Sequence, residues 1–233
     1  MNNHKDLSAL YQKLGITFID PDLLRTALVH RSYLNENKNF PLEHNERLEF
    51  LGDAVLELVV TEYLYTHYPN PEGDLTNWRA SLVNAKMLSE IAKELTLENF
   101  LYLSRGEASD NGSKARGYIL ANCIEAVIGA IYLDQGLEAS RTFIGTHVLT
   151  KLPYILTNKL YLDAKSKFQE QAQELYSITP HYQVLDESGP DHAKFFKVGV
   201  YLGEELVAFG TGTSKQEAQL NAADAGLKAK GWE

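Results

Sequence analysis

The spacing of apolar residues divides the chain into two parts. In residues 5–151, apolar side chains recur at positions i, i+3 and i+4 in long segments, and short clusters of Pro, Asn and Gly separate these segments. Strict alternation of apolar and polar residues is almost absent, so this part predicts an all-α domain. Residues 152–162 (LPYILTNKLYL) carry a proline and no helical period, and we interpret them as a linker.

A different pattern follows in residues 163–231. A helix is predicted near Ala164 to Leu175, and the runs HYQVLDES, KFFKVGVYLG and ELVAFGTG have the composition of strands. Gly203 stands at the start of a predicted hairpin turn between the second and third runs. The Ala-rich segment from Ser214 to Lys230 predicts a final helix. We therefore expect two domains, the first all-α and the second with the order α-β-β-β-α.

The segment from His44 to Tyr68 predicts an amphipathic helix with a stripe of acids. At about 100° per residue, four acids fall within an arc of roughly 80°; they are Glu46, Glu49, Asp53 and Glu57. The opposite side is apolar and contains Leu48, Leu51, Val55, Leu58 and Val59. Such a stripe can be an ordinary solvated face, but it contains no Lys or Arg to offset the repulsion between like charges. Carboxylates on a rigid helix also suit Mg²⁺, which prefers oxygen ligands.

Three further polar residues could join these acids at a metal site. Glu72 lies in the predicted loop NPEGDL, and Glu125 lies on a later predicted helix, three residues after Asn122. Each has a simpler interpretation: Glu72 as a loop acid, Glu125 as a surface acid and Asn122 as a surface amide. Spacing alone does not decide between these interpretations.

Phe50 points towards the acidic side of its helix, where an aromatic side chain requires a partner surface.

Composition narrows the class of protein. The hydrophobic fraction of 44% is normal for a globular chain, and the single cysteine, Cys123, excludes an internal disulfide and a thiol zinc cluster. Neither an apolar signal region nor a stretch of about 20 apolar residues is present, so we expect a cytoplasmic protein without a membrane partner. The net charge is −9, and a nucleic-acid partner would therefore need locally concentrated positive charge. From Ala164 to Glu233, seven lysines stand against ten acids, which leaves a net charge of −3.

The run NERLEFLGDAVL (residues 45–56) resembles the signature of the ribonuclease III family. The segments ALVHRSY, PEGDLTNWRASLVN and ILANCIEAVIGAIYLDQG are similar to the family's other blocks, in the same order, and the C-terminal part looks like a double-stranded-RNA-binding domain. This resemblance covers nearly the whole chain. It implies a helical nuclease domain followed by a double-stranded-RNA-binding domain, as in the short bacterial form of the enzyme.

The resemblance also implies an active site. Its metal ligands would be Glu49, Asp53, Asn122 and Glu125, and its catalytic acids would be Asp53 and Glu125 with Glu46 and Glu72 near the scissile phosphate. The cofactor would be Mg²⁺, with two ions per site and Mn²⁺ as an acceptable substitute, and no small-molecule cofactor is expected. One ion would form hydroxide from water, and the other would stabilise the departing 3′ oxygen. Asn122 stands where the family usually has Asp, which should weaken the affinity for metal.

The implied reaction cuts double-stranded RNA to give 5′-phosphate and 3′-hydroxyl ends with short 3′ overhangs. Phe50 matches the family residue that inserts into the partner subunit, so a homodimer is expected. Ribosomal RNA precursors and messenger RNA leaders are the implied substrates. Two other functions stay open: a catalytically weak protein that binds double-stranded RNA, suggested by Asn122, and a helical dimer whose acids serve only solubility.

Three regions of the C-terminal domain would contact the RNA, by the same resemblance. The first is the first helix at Gln169 and Glu170, the second is the loop with His192, and the third is the start of the last helix at Ser214 and Lys215, where backbone N–H groups favour phosphate. The simpler interpretation of the last two regions is a loop histidine and a solvated lysine. In the nuclease domain, we interpret His30, Arg31 and Ser32 as a buried polar network rather than a catalytic triad. Gly52 is expected to permit a close approach between helices.

Overall fold

The structure is a computed structural model that describes residues 5–110, 112–190 and 193–232. The chain separates into two compact units, Met1–Asn158 and Lys159–Glu233. The predicted order of an all-α unit followed by an α-β-β-β-α unit is confirmed.

Unit 1 is built from α-helices joined by short loops. The helices are α1 (Ser8–Leu14), α2 (Pro21–Ala27), α3 (Arg31–Glu36), α4 (Glu46–His67), α5 (Glu72–Val83), α6 (Ala85–Glu94), α7 (Arg105–Ser109), α8 (Lys114–His147) and α9 (Leu152–Thr157). Single 3₁₀ turns lie at Leu97–Asn99 and Leu149–Lys151. Helices α4 and α8 form the centre of the unit, and α2 and α6 also pack against α8.

The buried face of α4 is rotated from the face that the sequence predicts. Gly52 and Leu56 are buried at its centre, whereas Leu51 is only half-buried and Leu58 is 54% exposed. The expected apolar side was therefore wrong at Leu58. The reason is that α4 turns Gly52 towards α8, which moves Leu58 to the edge of the contact.

Helix α8 is the longest helix of the unit. The Ser113 side chain accepts a hydrogen bond from the N–H of Arg116 at its start, and Gly136, at φ 79°, interrupts the helical geometry within it. By length and composition alone, the stretch Lys114–Thr157 could cross a membrane, but 61% of its most apolar window is buried inside the unit. This burial is typical of the core helix of a folded domain.

The predicted linker is shorter than expected, because its first half is helical. Pro153 lies in the first turn of α9, where proline is common, and Leu152 and Ile155 are buried. Helix α9 packs against α5, so unit 1 continues to Asn158. A six-residue helix is too short to show a clear apolar period in the sequence.

Unit 2 is a three-stranded antiparallel sheet with two helices. Helix α10 (Ala164–Tyr176) precedes strands β1 (His181–Ser188), β2 (Phe195–Leu202) and β3 (Glu205–Gly212), and α11 (Lys215–Lys230) ends the unit. The strands lie in the order β1-β2-β3, and Gly203, at φ 59°, forms the predicted hairpin turn. The core contains Phe168 and Ala172 from α10, Val200 from β2, and Ala223 and Leu227 from α11.

Candidate active site

A contact between two glycines sets the register of α4 against α8. A Cβ atom on Gly52 would lie 1.7 Å from the carbonyl oxygen of Glu125, and one on Gly129 would lie 2.2 Å from that of Leu48. Only glycine allows the two backbones to approach this closely. The predicted role of Gly52 is therefore confirmed. Because Glu49 and Asp53 flank Gly52, the contact brings both of them beside Glu125.

The carboxylates of the two helices repel one another. Burial raises the pKa of Glu125 to about 7, and the nearby charges of Asp53, Glu49 and Glu57 add to the rise. Burial also raises the pKa of Glu49, an effect that hydrogen bonding from Asn122 partly offsets. The structure thus brings together the four residues predicted as metal ligands, Glu49, Asp53, Asn122 and Glu125.

The donor set at this place fits a hard divalent cation. Three carboxylates and one amide lie on two rigid helices, and a cation would offset both the burial and the neighbouring negative charge that raise the pKa of Glu125. Among the described residues, no group of three or more His, Cys, Asp or Glu side chains is already placed to hold a metal ion. The fit to a cation therefore rests on the chemistry of these donors and on their placement on the two helices.

The sequence placed Glu57 in the acidic stripe but did not predict its ion pair with Arg79. Glu57 lies close enough to Glu125 to raise its pKa, and its Oε2 accepts a bond from Nε of Arg79 at 2.9 Å. Arg79 also donates to Oγ1 of Thr61, at 3.0 Å. The acidic stripe therefore receives its compensating cation from α5, which the pattern of α4 alone cannot show. Arg79 lies in the second half of α5, and no local sequence signal points to this pair.

The two predicted accessory acids lie in different surroundings. Glu46 begins α4, and its carboxylate lies 3.5 Å from Arg31 and 3.7 Å from His44. Glu72 is the first residue of α5 rather than a loop residue, and it accepts a hydrogen bond from Thr76 at 2.9 Å. It lines a cavity of about 630 Å³ together with Arg79. The charges that raise the pKa of Glu125 do not include that of Glu72. The role of Glu72 near the scissile phosphate stays a prediction.

Phe50 projects from α4 into solvent, with 81% of its surface exposed. It borders a cavity of about 630 Å³, whose apolar lining includes Leu23, Leu51 and Leu133. An exposed aromatic ring and an apolar cavity therefore lie side by side on one surface. This arrangement suits a self-complementary contact about a two-fold axis.

The polar network at the start of α3 is formed by two of its three predicted members. Nδ1 of His30 lies 2.8 Å from Oγ of Ser32, which also accepts a hydrogen bond from the N–H of Ser104 at 3.1 Å. Burial lowers the pKa of His30. Arg31 is exposed and faces Glu46 instead. The Ser32 side chain thus joins α3 to Ser104, which caps α7.

In unit 2, the predicted RNA contacts lie on the two helices. Gln169 and Glu170 are exposed on α10 and line a shallow groove. The Ser214 side chain accepts a hydrogen bond from the N–H of Glu217 and caps α11. Lys215 begins α11, and its Nζ lies 3.9 Å from a carboxylate oxygen of Glu187. His192 lies outside the described residues.

Comparison with known proteins identifies both units. Residues 20–152 match the family described as Ribonuclease-III-like, and residues 164–229 match the double-stranded RNA binding motif. A ribonuclease 3 of Borreliella burgdorferi is 44% identical over 224 residues, which cover 96% of this chain and 91% of that protein. A ribonuclease 3 of Protochlamydia amoebophila is 45% identical over 216 residues, which cover 92% of this chain and 88% of that protein.

A solved structure agrees with these relatives. The nuclease domain of a ribonuclease III from Campylobacter jejuni, 42% identical, covers 64% of this chain and 99% of its own length with a TM-score of 0.57. A helical domain that gathers carboxylates, followed by a double-stranded-RNA-binding module, defines a nuclease of duplex RNA. The chain belongs to the ribonuclease III family and is an endoribonuclease that acts on double-stranded RNA.

Proposed function

We propose that this endonuclease requires Mg²⁺ and hydrolyses the phosphodiester bonds of double-stranded RNA to leave 5′-phosphate and 3′-hydroxyl ends with short 3′ overhangs. Two ions per active site and substitution by Mn²⁺ are part of the proposal, as is a cellular role in processing ribosomal and messenger RNA. The observation that carries it is the gathering of Glu49, Asp53 and Glu125 beside Asn122, at the glycine contact of α4 and α8.

The residues of the site have separate tasks in this reaction. Glu49, Asp53 and Glu125 would hold the cations with their carboxylates, and Asn122 would contribute its amide oxygen. Bound divalent cations supply Lewis-acid chemistry to the attack of water on phosphorus and to the departure of the 3′ oxygen. Arg79 holds Glu57 by an ion pair of 2.9 Å, so this fourth acid is neutralised locally. The P–O3′ bond breaks, and the phosphate stays on the 5′ end of the downstream fragment of the cut strand.

A magnesium series tests the proposal. Cleavage of a long, perfect RNA duplex is measured for the parent chain, Glu125→Gln and Asn122→Asp, with binding measured in parallel. We expect Glu125→Gln to lower cleavage by at least about 10³-fold while binding is retained, because it removes one carboxylate from the metal site. Asn122→Asp should shift half-maximal cleavage to lower Mg²⁺, because it adds one charge.

The same series separates a second candidate function. Asn122 offers no charge to a cation, which favours a protein that binds double-stranded RNA but cuts it weakly. Binding without cleavage in the parent chain at every Mg²⁺ concentration, together with cleavage in Asn122→Asp, would establish that function instead. Glu49→Ala and Glu125→Ala without effect on any RNA activity would leave the acids a role in solubility alone.

A homodimer is the second part of the proposal. Phe50 and the apolar cavity beside it are arranged so that a two-fold axis can place each ring in the partner's cavity. The solved structure of the related Campylobacter jejuni nuclease domain is reported to show structural flexibility in a region involved in dimer formation.

Tyr65 provides a matched control for this dimer, because it lies on the same helix and is also 81% exposed. We expect Phe50→Ala to weaken the dimer by at least about tenfold, as loss of a buried aromatic anchor does. Tyr65→Ala should leave the dimer intact. Sedimentation over a concentration series measures both, and equal behaviour of the two variants would place the interface elsewhere.

A further inference from the structure

A second concave surface of unit 1 gathers positive charge. A cavity of about 370 Å³ lies between α6 and the first turns of α8, and three lysines line it: Lys86 and Lys93 on α6, and Lys114 on α8. All three are exposed. Among the described residues that line this lysine cavity, Glu90 is the single acid. In a chain with a net charge of −9, three lysines around one cavity require an explanation.

The wall of the lysine cavity contains a polar group in need of a partner. Ser89 is only 4% exposed, and its hydroxyl has no hydrogen-bond partner among the described residues. A buried hydroxyl without a partner is unfavourable, so a ligand oxygen or the water that it carries would satisfy this group. Tyr118, which is 50% exposed, adds a phenol group at the rim.

Helix α8 connects the lysine cavity to the active site. At about 100° per residue, Lys114, Tyr118, Asn122 and Glu125 fall within an arc of roughly 80° on α8. At about 1.5 Å per residue, Tyr118 lies roughly 6 Å along the helix axis from Asn122. Lys114 and Tyr118 of the lysine cavity and Asn122 and Glu125 of the active site thus occupy successive parts of one face of α8.

We propose that the lysine cavity binds a backbone phosphate of the double-stranded RNA, next to the position that is cut. The inference rests on the proposed function, because it places the substrate at the carboxylates of α4 and α8. Those carboxylates repel the phosphates that must approach them, and the lysines of the cavity offset this repulsion. Lys114 lies about three helical turns before Glu125 on α8. Neutralisation of phosphates by Lys and release of counterions supply affinity for RNA.

The salt dependence of RNA binding tests the proposal. Binding of a duplex RNA is measured with the full chain in a Glu125→Gln background, which prevents cleavage, over a range of salt concentrations. The test variant is Lys86→Gln with Lys93→Gln. The matched control is Lys13→Gln with Lys38→Gln, which removes the same charge from exposed lysines elsewhere in unit 1.

We expect the test pair to raise the Kd by about tenfold and to lower the slope of log K against log salt by roughly one, since the phosphate in the cavity is no longer neutralised. The control pair should change the Kd by less than about twofold and leave the slope as it is, because net charge alone forms no counterion-releasing contact. Lys86→Arg with Lys93→Arg should restore the slope. Equal effects of the test and control pairs would overturn the proposal.

The outcome is separable from that of the proposed function. If the parent chain cuts RNA in Mg²⁺ and the test pair behaves like the control, the lysine cavity has no role in RNA binding and the nuclease function stands. If the parent chain does not cut but the test pair still loses affinity and slope, the cavity binds RNA on a protein that is not an active nuclease.

Discussion

The two units solve opposite electrostatic problems. In unit 1, acids are brought together against their own repulsion, and burial with neighbouring charge raises the pKa of Glu125 to about 7. In unit 2, a module with a net charge of −3 must attract a polyanion. Its Lys215 stands at the start of α11, already facing a carboxylate of Glu187 at 3.9 Å.

The difference lies in what holds the functional side chains. The acids of unit 1 are fixed by a backbone contact between α4 and α8 that leaves no room for a Cβ atom. Lys215, by contrast, is an exposed side chain at the start of a helix. Position therefore matters more than total charge in both units, but changes in unit 1 should have much larger effects than changes in unit 2.

The largest effect is expected from Gly52→Ala. Its Cβ atom would lie 1.7 Å from the carbonyl oxygen of Glu125, so α4 and α8 must separate. Overpacking of this kind costs about 3 kcal/mol or more, and the melting temperature should fall by at least about 6 °C. RNA cleavage should be lost as well, because Asp53 and Glu125 no longer lie side by side.

Gly145→Ala is the matched control. Gly145 lies in α8, the helix that Gly52 contacts, and a Cβ atom there meets nothing within 4 Å. It should keep or slightly raise the melting temperature, since alanine favours a helix by about 1 kcal/mol over glycine. If both variants melt like the parent chain, the glycine contact does not set the register of the site.

The register of α4 and α8 also shows what the sequence could predict. The helical unit and all three strands were predicted from spacing and family resemblance, and the structure confirms them. The resemblance also named the acids that the structure brings together on α4 and α8. The rotation of α4 was not predicted. Leu56 and Leu58 are the same residue type, and only the contact of Gly52 with α8 decides which of them is buried. Glu57 was assigned to the acidic stripe, but its pairing with Arg79 depends on a helix that is distant in sequence.

A smaller effect is expected in the pH dependence of stability without metal. The pKa of Glu125 is about 7 in the folded protein and near its ordinary value of 4.5 in the unfolded chain. Between these values, the folded protein binds more protons, so stability falls as the pH rises from about 4.5 to about 7 and then levels off. Glu125→Gln abolishes this loss, so its melting temperature should exceed that of the parent chain in EDTA at pH 8, but not at pH 4.

Glu98→Gln, which removes an exposed acid from the same unit, should show no such pH-dependent gain. Added Mg²⁺ should stabilise the parent chain more than Glu125→Gln, because binding to the folded state alone raises stability. A parent chain whose melting temperature is as high as that of Glu125→Gln at pH 8 in EDTA would mean that burial and the neighbouring acids do not destabilise the charged form of Glu125.

The smallest effect is expected in unit 2, from Lys215→Gln. We expect the Kd for duplex RNA to rise by about threefold to tenfold, and the salt slope to fall by roughly one, because one phosphate contact is lost. Lys228→Gln is the control, since Lys228 lies on the same helix and pairs with Asp224 at 2.6 Å. It should change the Kd by less than about twofold. A loss as large in Lys228→Gln would mean that α11 contributes only its net charge, whereas a loss confined to Lys215→Gln would mean that the start of the helix meets phosphate.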